Sequence, residues 1–409
     1  MHPMIKPALR RGWRDRRTVQ FGATPAHAVV LGPVDTATGS FLSLLDGTRG
    51  LPLLRKEAAG LGLREDRVDE LLRRLGAAGL LDDRAPGRGR SSGTRGSSAV
   101  PDRLLPDLAS LSLVHPDPGA AARRLAARGE ARVQVRGAGR VGSAVAATLS
   151  AAGVGRVDVM DGGCVEPWDT GPGGLPGTAA GERRDAAAGK AVRAAAPGRR
   201  TRRTGAGAGP EARDPEGGLA LTVLAPRDGL AAHAPDPAVA EPLLSAGIPH
   251  LYAGVLEGTG VVGPLVLPGE SACAGCVQEL RAEQDPGRPR LLAQWRSGSG
   301  PAAVPACDIA LATVVAGLAA AHALSFLDGR PPVSAGARLE FTLPDLAWEA
   351  QPVPPHPECG CGAAGAAERP YSWDGGVPPR DGPVGAGLGA GVAGSSPPEE
   401  RSGVGGAHV

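Results

Sequence analysis

At 409 residues the chain is too long for one ordinary domain, and two folded units with connectors are expected. Lys and Arg total 44 against 42 Asp and Glu, so a net charge of +2 creates no field to recruit nucleic acid or an anionic membrane, and neither is expected as a partner. Gly at 63 and Pro at 40, with aromatic residues at only 3%, assign much of the chain to turns and linkers.

The N-terminal "MHPMIKPALRRGWRDRR" is basic but lacks a following apolar run, which argues against a secretory signal and makes the cytoplasm the expected compartment. Residues 1–84 form the expected first unit, compact from about Val29. It has a short strand in "AVVLGP", a helix in "DTATGSFLSLLDG" capped by Asp35 or Thr36, and a second helix in "REDRVDELLRRLGAAG". In that second helix Val68, Leu71, Leu72 and Leu75 repeat at helical spacing, Gly76 marks its end, and "LLDD" follows as an edge strand or wing. Small helices followed by a wing give the α+β outline of a winged-helix domain. Residues 85–103, with the Gly/Ser-rich "APGRGRSSGTRGSSAVPD", read as a flexible tether.

The second unit, residues 104–362, opens with a helix in "GAAARRLAARGE", a strand in "ARVQVRG", a Gly-rich turn, a helix to about Ala152 and a strand in "RVDVMD". Strand, helix and strand in that order form a βαβ unit, so an α/β, Rossmann-like domain with a mainly parallel sheet is expected. "ALTVLAP" is a further buried strand, and "HLYAGVLEGTGVVGPLVLPG" reads as a hairpin turning at Gly258 to Gly260. The segment Ile309 to Leu327 approaches the length needed to span a bilayer. Ala and Gly dominate it, and it contains His322. It therefore reads as a buried helix bounded by Asp308 and Asp328. Residues 363–409 lack core-forming side chains and are expected to be disordered.

Gly137, Gly139 and Gly142 fit G-x-G-x-x-G between a strand and a helix, where backbone must turn tightly and approach phosphate oxygens at a helix N-terminus. Asp161 follows about twenty residues after Gly142, at the end of the next strand, placed to accept hydrogen bonds from a ribose diol. This turn alone serves NAD or ATP equally. Cys273 and Cys276 have the C-x2-C spacing of a metal knuckle, and Cys359 with Cys361 could close a four-thiolate structural Zn2+ site, with His356 as an alternative to Cys361. Cys307 and Cys164 read as a packing residue and a loop thiol. The basic run "GERRDAAAGKAVRAAAPGRRTRR" reads as a solvated helix face from which one Arg or Lys could turn toward a triphosphate.

The order of Gly-rich turn, acid, hairpin, C-x2-C and distant cysteine pair resembles the ThiF/MoeB/HesA family, bacterial relatives of ubiquitin-activating enzymes, over roughly Leu104 to Gly362. The resemblance implies a domain that binds ATP and Mg2+, carries structural zinc, works as a homodimer and adenylates the carboxylate of a small protein or peptide. It places Gly137, Gly139, Gly142 and Asp161 in the nucleotide site, Asp228 at the Mg2+-binding position, and Cys273, Cys276, Cys359 and Cys361 as zinc ligands. Asp169 falls near a family Asn and Pro172 near a family Arg, so that Arg is absent. A phosphate-contacting cation would be Arg184, with Arg183 and Lys190 as alternates. The first unit resembles leader-peptide-binding modules of ribosomal-peptide modification systems. That implies a rival role as a scaffold presenting a peptide to a partner modifying enzyme; a NAD-dependent oxidoreductase is the weaker third reading.

Overall fold

The computed structural model describes residues 1–83, 100–198, 218–297 and 304–366. Most of the tether at 85–103 and of the tail at 363–409 lies outside the described residues. Residues 1–83 fall in one compact unit, and residues 100–115 and 119–366 fall in a second.

The smaller unit comprises β1 (Pro3–Ile5), β2 (Arg11–Asp15), β3 (Thr18–Phe21), β4 (Val29–Leu31), α1 (Thr36–Leu44), α2 (Leu51–Gly60), α3 (Glu65–Ala77) and β5 (Leu81–Asp83). Strands β2, β3 and β4 form an antiparallel sheet, while β5 pairs antiparallel with β1. Of the two cap residues left open by the sequence, Asp35 is the one used: its carboxylate accepts the Thr38 N–H at 2.7 Å. Val68, Leu71 and Leu75 of α3 are buried with Phe21, Phe41 and Leu54. The "LLDD" segment finds its partner at the chain's own N-terminus, a pairing no local pattern could announce. Strand β2 is exposed along its whole length, so it lacks the alternation that marks a half-buried strand.

The larger unit comprises α4 (Leu105–Val114), α5 (Ala120–Glu130), β6 (Arg132–Arg136), α6 (Arg140–Ala151), β7 (Arg156–Met160), α7 (Arg184–Ala195), β8 (Leu221–Leu224) and α8 (Gly229–His233). It continues with α9 (Pro237–Ser245), β9 (His250–Leu256), β10 (Thr259–Val266), α10 (Ala274–Gln284), α11 (Arg288–Ser297), α12 (Ile309–Leu327), β11 (Ala337–Thr342) and β12 (Ala347–Pro352). Its seven strands run in the order β12-β11-β10-β9-β8-β6-β7. The block β7, β6, β8, β9 is parallel, as the βαβ pattern requires, and β10, β11 and β12 extend it antiparallel. Strand β7 lies on one side of β6 and β8 on the other. Their carboxyl ends therefore flank a topological switch point, the place where such sheets open a crevice.

The β9–β10 hairpin turns at Glu257 and Gly258, one residue earlier than expected; both have positive φ, the conformation a two-residue hairpin turn requires. Helix α12 has the expected bounds, with the Asp308 carboxylate accepting the N–H groups of Ala310 at 2.9 Å and Leu311 at 3.0 Å. Among the described residues it is the one helix long and apolar enough to cross a membrane, yet Leu311, Val315, Ala319 and Ala323 are buried in the core cluster that includes Leu149, Leu251 and Val262. Gly260 makes this packing close, because a Cβ there would overlap the Val315 side chain.

Candidate nucleotide cleft and cysteine centre

Strand β6 delivers Gly137 to the switch point. Gly137 has φ +112°, and a Cβ on it would overlap the carbonyl oxygen of Ala225, which follows β8. Two strand ends thus meet with no side chain between them. Gly142, in the first turn of α6, has the same constraint against the Gly137 carbonyl, so any side chain there would push the helix off the loop. Gly139 is the N-cap of α6, whose first N–H groups have no partner within the helix and face the cleft. Asp161, just past β7, accepts the Ala138 N–H at 2.6 Å and ties the neighbouring strand to the loop. The three glycines and Asp161 are brought together.

The cleft beside this loop is lined by Gly139, Arg140, Gly142, Trp168, Asp169, Pro226, Arg227, Pro305 and Cys307, among others. Arg140 projects from the first turn of α6 and donates to the Cys307 carbonyl at 2.6 Å. Asp228 caps α8: one carboxylate oxygen accepts the Leu230 N–H at 2.9 Å, leaving the other with no protein partner among the described residues.

Beneath the cleft Asp169 is 3% exposed and accepts three hydrogen bonds, from Arg184 Nε at 3.0 Å, Arg227 Nε at 2.7 Å and the Glu166 N–H at 2.9 Å. Glu166 accepts from Arg184 Nη2 at 3.2 Å and from Arg227 Nη2. Arg184 also donates to the Gly162 carbonyl at 2.6 Å. Two guanidinium groups and two carboxylates therefore form a closed, formally neutral cluster. The interactions with the two acids also favour the charged form of Arg227, against the burial that disfavours it. Lys190 lies apart from it on α7, paired with Glu182 at 2.7 Å, and Arg183 pairs with Asp185 at 3.1 Å. Pro172 is exposed in a turn.

Glu166 and Arg227 were not singled out from the sequence. They lie 61 residues apart, and Arg227 lies 58 from Asp169, so only the fold brings them together. The available signal is a basic residue in the turn after β8, next to Asp228.

The cysteine centre lies where α10 starts and the chain returns after β12. All four thiol sulfurs of Cys273, Cys276, Cys359 and Cys361 fall within 4.8 Å of one another, with separations of 4.0 Å for Cys273–Cys276 and 3.6 Å for both Cys273–Cys359 and Cys276–Cys361. Tetrahedral zinc with Zn–S bonds of about 2.3 Å spaces its sulfurs roughly 3.8 Å apart, so the donor set fits that ion. The His356 N–H donates to Cys276 Sγ at 3.3 Å, while its ring meets Glu283 at 3.1 Å. Cys361 is therefore the fourth member and His356 a supporting residue. Hydrogen bonding from Cys273 pulls the Cys276 thiol down to about 4, and burial pushes Cys359 up to about 11.

No curated protein sequence matches the chain. Its fold is similar to that of E. coli MccB, solved with succinimide, at 14% identity and TM-score 0.62, covering 88% of this chain and 99% of MccB. E. coli MccB solved with ATP gives 13% identity and TM-score 0.61 over 88% and 99% of the two chains. The heterocyclase TruD gives 18% identity and TM-score 0.56, covering 88% of this chain and 43% of TruD. Residues 120–363, which span the cleft and the four cysteines, match the ThiF family, and the chain belongs to that family.

Proposed function

We propose that this protein binds ATP in the β6–β8 cleft and adenylates the terminal carboxylate of a peptide. The supporting observation is the Gly137–Gly142 loop at the switch point, closed to side chains on both walls and tied to Asp161. E. coli MccB, a protein of similar fold, has been solved with ATP and with MccA, which supports a nucleotide and a peptide as ligands.

In this reading the phosphates lie against the N-terminus of α6, the ribose reaches Asp161, and Arg140 and Arg227 face the triphosphate. A carboxylate oxygen attacks the α-phosphorus, the bond to the β-phosphate oxygen breaks, and pyrophosphate leaves with the electron pair. Bound Mg2+ would supply charge neutralisation for the triphosphate, and the unpartnered oxygen of Asp228 would hold it. Arg184 is a positioning residue, holding Asp169 and Glu166. Lys190 would have to leave Glu182 to take part. The zinc site is structural, because four thiolates leave no position for water.

A second reading, a peptide-binding scaffold serving a partner enzyme, is favoured by the neutral Arg184–Arg227–Asp169–Glu166 cluster and the proline at position 172. Peptide-dependent ATP–pyrophosphate exchange, lost in Asp228→Ala, supports adenylation. Peptide binding without any ATP binding supports the scaffold. Homodimer formation is checked by sedimentation equilibrium.

A further inference from the structure

The nucleotide cleft is almost filled in this structure. It leaves about 40 Å³, room for a few waters, where a site for a small molecule usually offers about 300 to 1,000 Å³. Arg227 is the side chain that crosses it. It leaves the main chain in the turn after β8, and its Cγ lies 3.0 Å from the point a Cβ would take on Gly139, the N-cap of α6. From there the guanidinium reaches the loop after β7, where Nε donates to Asp169 at 2.7 Å and Nη2 donates to Glu166. Strands β7 and β8 flank β6 on opposite sides. One side chain therefore bridges the two walls of the switch point, over the Gly-rich turn.

The two ends of this bridge differ. The Asp169 side chain is only 4% exposed and also holds Arg184 and the Glu166 N–H, so it is a fixed anchor. In the Arg227–Glu166 pair the side chains are 29% and 39% exposed. A pair this open to water contributes little and yields to a stronger acceptor, and a triphosphate carries more charge than one carboxylate. Glu166 is itself kept in place by Arg184 Nη2 at 3.2 Å. We propose that Glu166 is a positioning residue that latches Arg227 across the cleft, so that nucleotide enters only when this contact opens. Arg227 then trades the Glu166 carboxylate for phosphate oxygens, with no proton moved and no covalent bond made or broken. The latch rests on the ATP reading above and adds to it a closed state that competes with binding.

The test is stopped-flow binding of N-methylanthraniloyl-ATP to the full chain, which separates association from dissociation rate constants. Side-chain rotation is far faster than binding, so the latch acts as a pre-equilibrium and lowers affinity by the fraction of molecules that are open. Glu166→Asp keeps the charge but draws the carboxylate back by one methylene. It is expected to raise the association rate constant about three- to fivefold, the reach of a partly exposed ion pair, and to leave dissociation unchanged. Arg227→Lys also keeps its charge but loses the fork that spans two acids, so it should associate faster and, with a poorer grip on phosphate, dissociate faster as well. Circular dichroism checks that the variants fold. Binding by Glu166→Asp with none by the parent chain supports the latch in its strongest form. Parent-like association in Glu166→Asp, or in Arg227→Lys, overturns the latch and leaves the ATP reading standing; a gain confined to Glu166→Gln does the same, because it assigns the effect to charge. No nucleotide binding by the parent or any variant overturns both.

Discussion

Asp169→Asn places at this position the residue type that the family resemblance implies, and it should make the protein less stable. Asp169 accepts from Arg184, Arg227 and a backbone N–H, while an Asn presents one carbonyl oxygen and turns an NH2 toward one of the donors. The oxygen should stay on Arg184, the more buried partner. The bond from Arg227, whose side chain is 29% exposed, is then lost, and its contribution is discounted to about 1 kcal/mol for solvent screening. Weakening the Arg184 pair from charged to neutral, with its guanidinium left partly uncompensated, adds about 1 to 2 kcal/mol. The total of about 2 to 3 kcal/mol should lower the urea midpoint by about 1 M, read by fluorescence of Trp168 beside the cluster. ATP affinity should move the other way, because the cluster gains one net positive charge under the phosphates. A midpoint within about 0.2 M of the parent protein, or weaker ATP binding by a folded variant, would refute the neutral-cluster account.

Four other outcomes follow from the same structure. The protein should carry about one zinc per chain, lost in Cys361→Ser and kept in His356→Gln, as elemental analysis would show. Gly142→Ala should lower stability by about 2 kcal/mol and abolish nucleotide binding, since the methyl overlaps the Gly137 carbonyl; wild-type ATP binding by this variant would contradict the loop assignment. Asp328→Ala should destabilise by about 3 to 5 kcal/mol, leaving Arg128 buried without the carboxylate it meets at 2.6 Å; a loss below 1 kcal/mol in urea unfolding would argue against this. Burial lowers the His250 pKa from 6.5 to about 4. The unfolded chain then binds more protons than the folded one between those values. Stability from this group is present above pH 6.5 and falls by about 3 kcal/mol as pH drops toward 4, so His250→Gln should flatten that part of the pH–stability curve.

The sequence made legible what is set locally. The β6 turn, α6 and β7 follow from a βαβ pattern with glycines where backbone touches backbone, and the four cysteines follow from two close pairs. The α12 helix is equally local, because aspartates bound it at both ends and small residues fill its buried face. What could not be read depends on residues distant in sequence. The β1–β5 pairing joins the chain's start to a segment about eighty residues on, and β2 shows no alternation because neither of its faces is buried. The same holds in the cleft. Arg184 stood out as a cation for phosphate, yet its partners are decided by Glu166 and Asp169, which the loop after β7 turns back beneath α7.

That placement bears directly on the choice between enzyme and scaffold. Guanidinium groups assist phosphoryl chemistry when their charge is available as charge builds on the leaving oxygens. Arg184, buried with a backbone carbonyl and two acids, can contribute only rigidity. Arg227 differs, being partly exposed, crossing over Gly139 and held from a strand end next to Asp228. In the proposed adenylation, it would exchange Glu166 for phosphate by a side-chain rotation while Asp169 still anchors Nε. In that reading Arg227 would then supply the guanidinium that the family resemblance implies near Pro172. Arg227→Gln separates the two roles: an adenylating enzyme loses its pyrophosphate exchange with peptide affinity intact, whereas a scaffold keeps peptide affinity and has no exchange to lose.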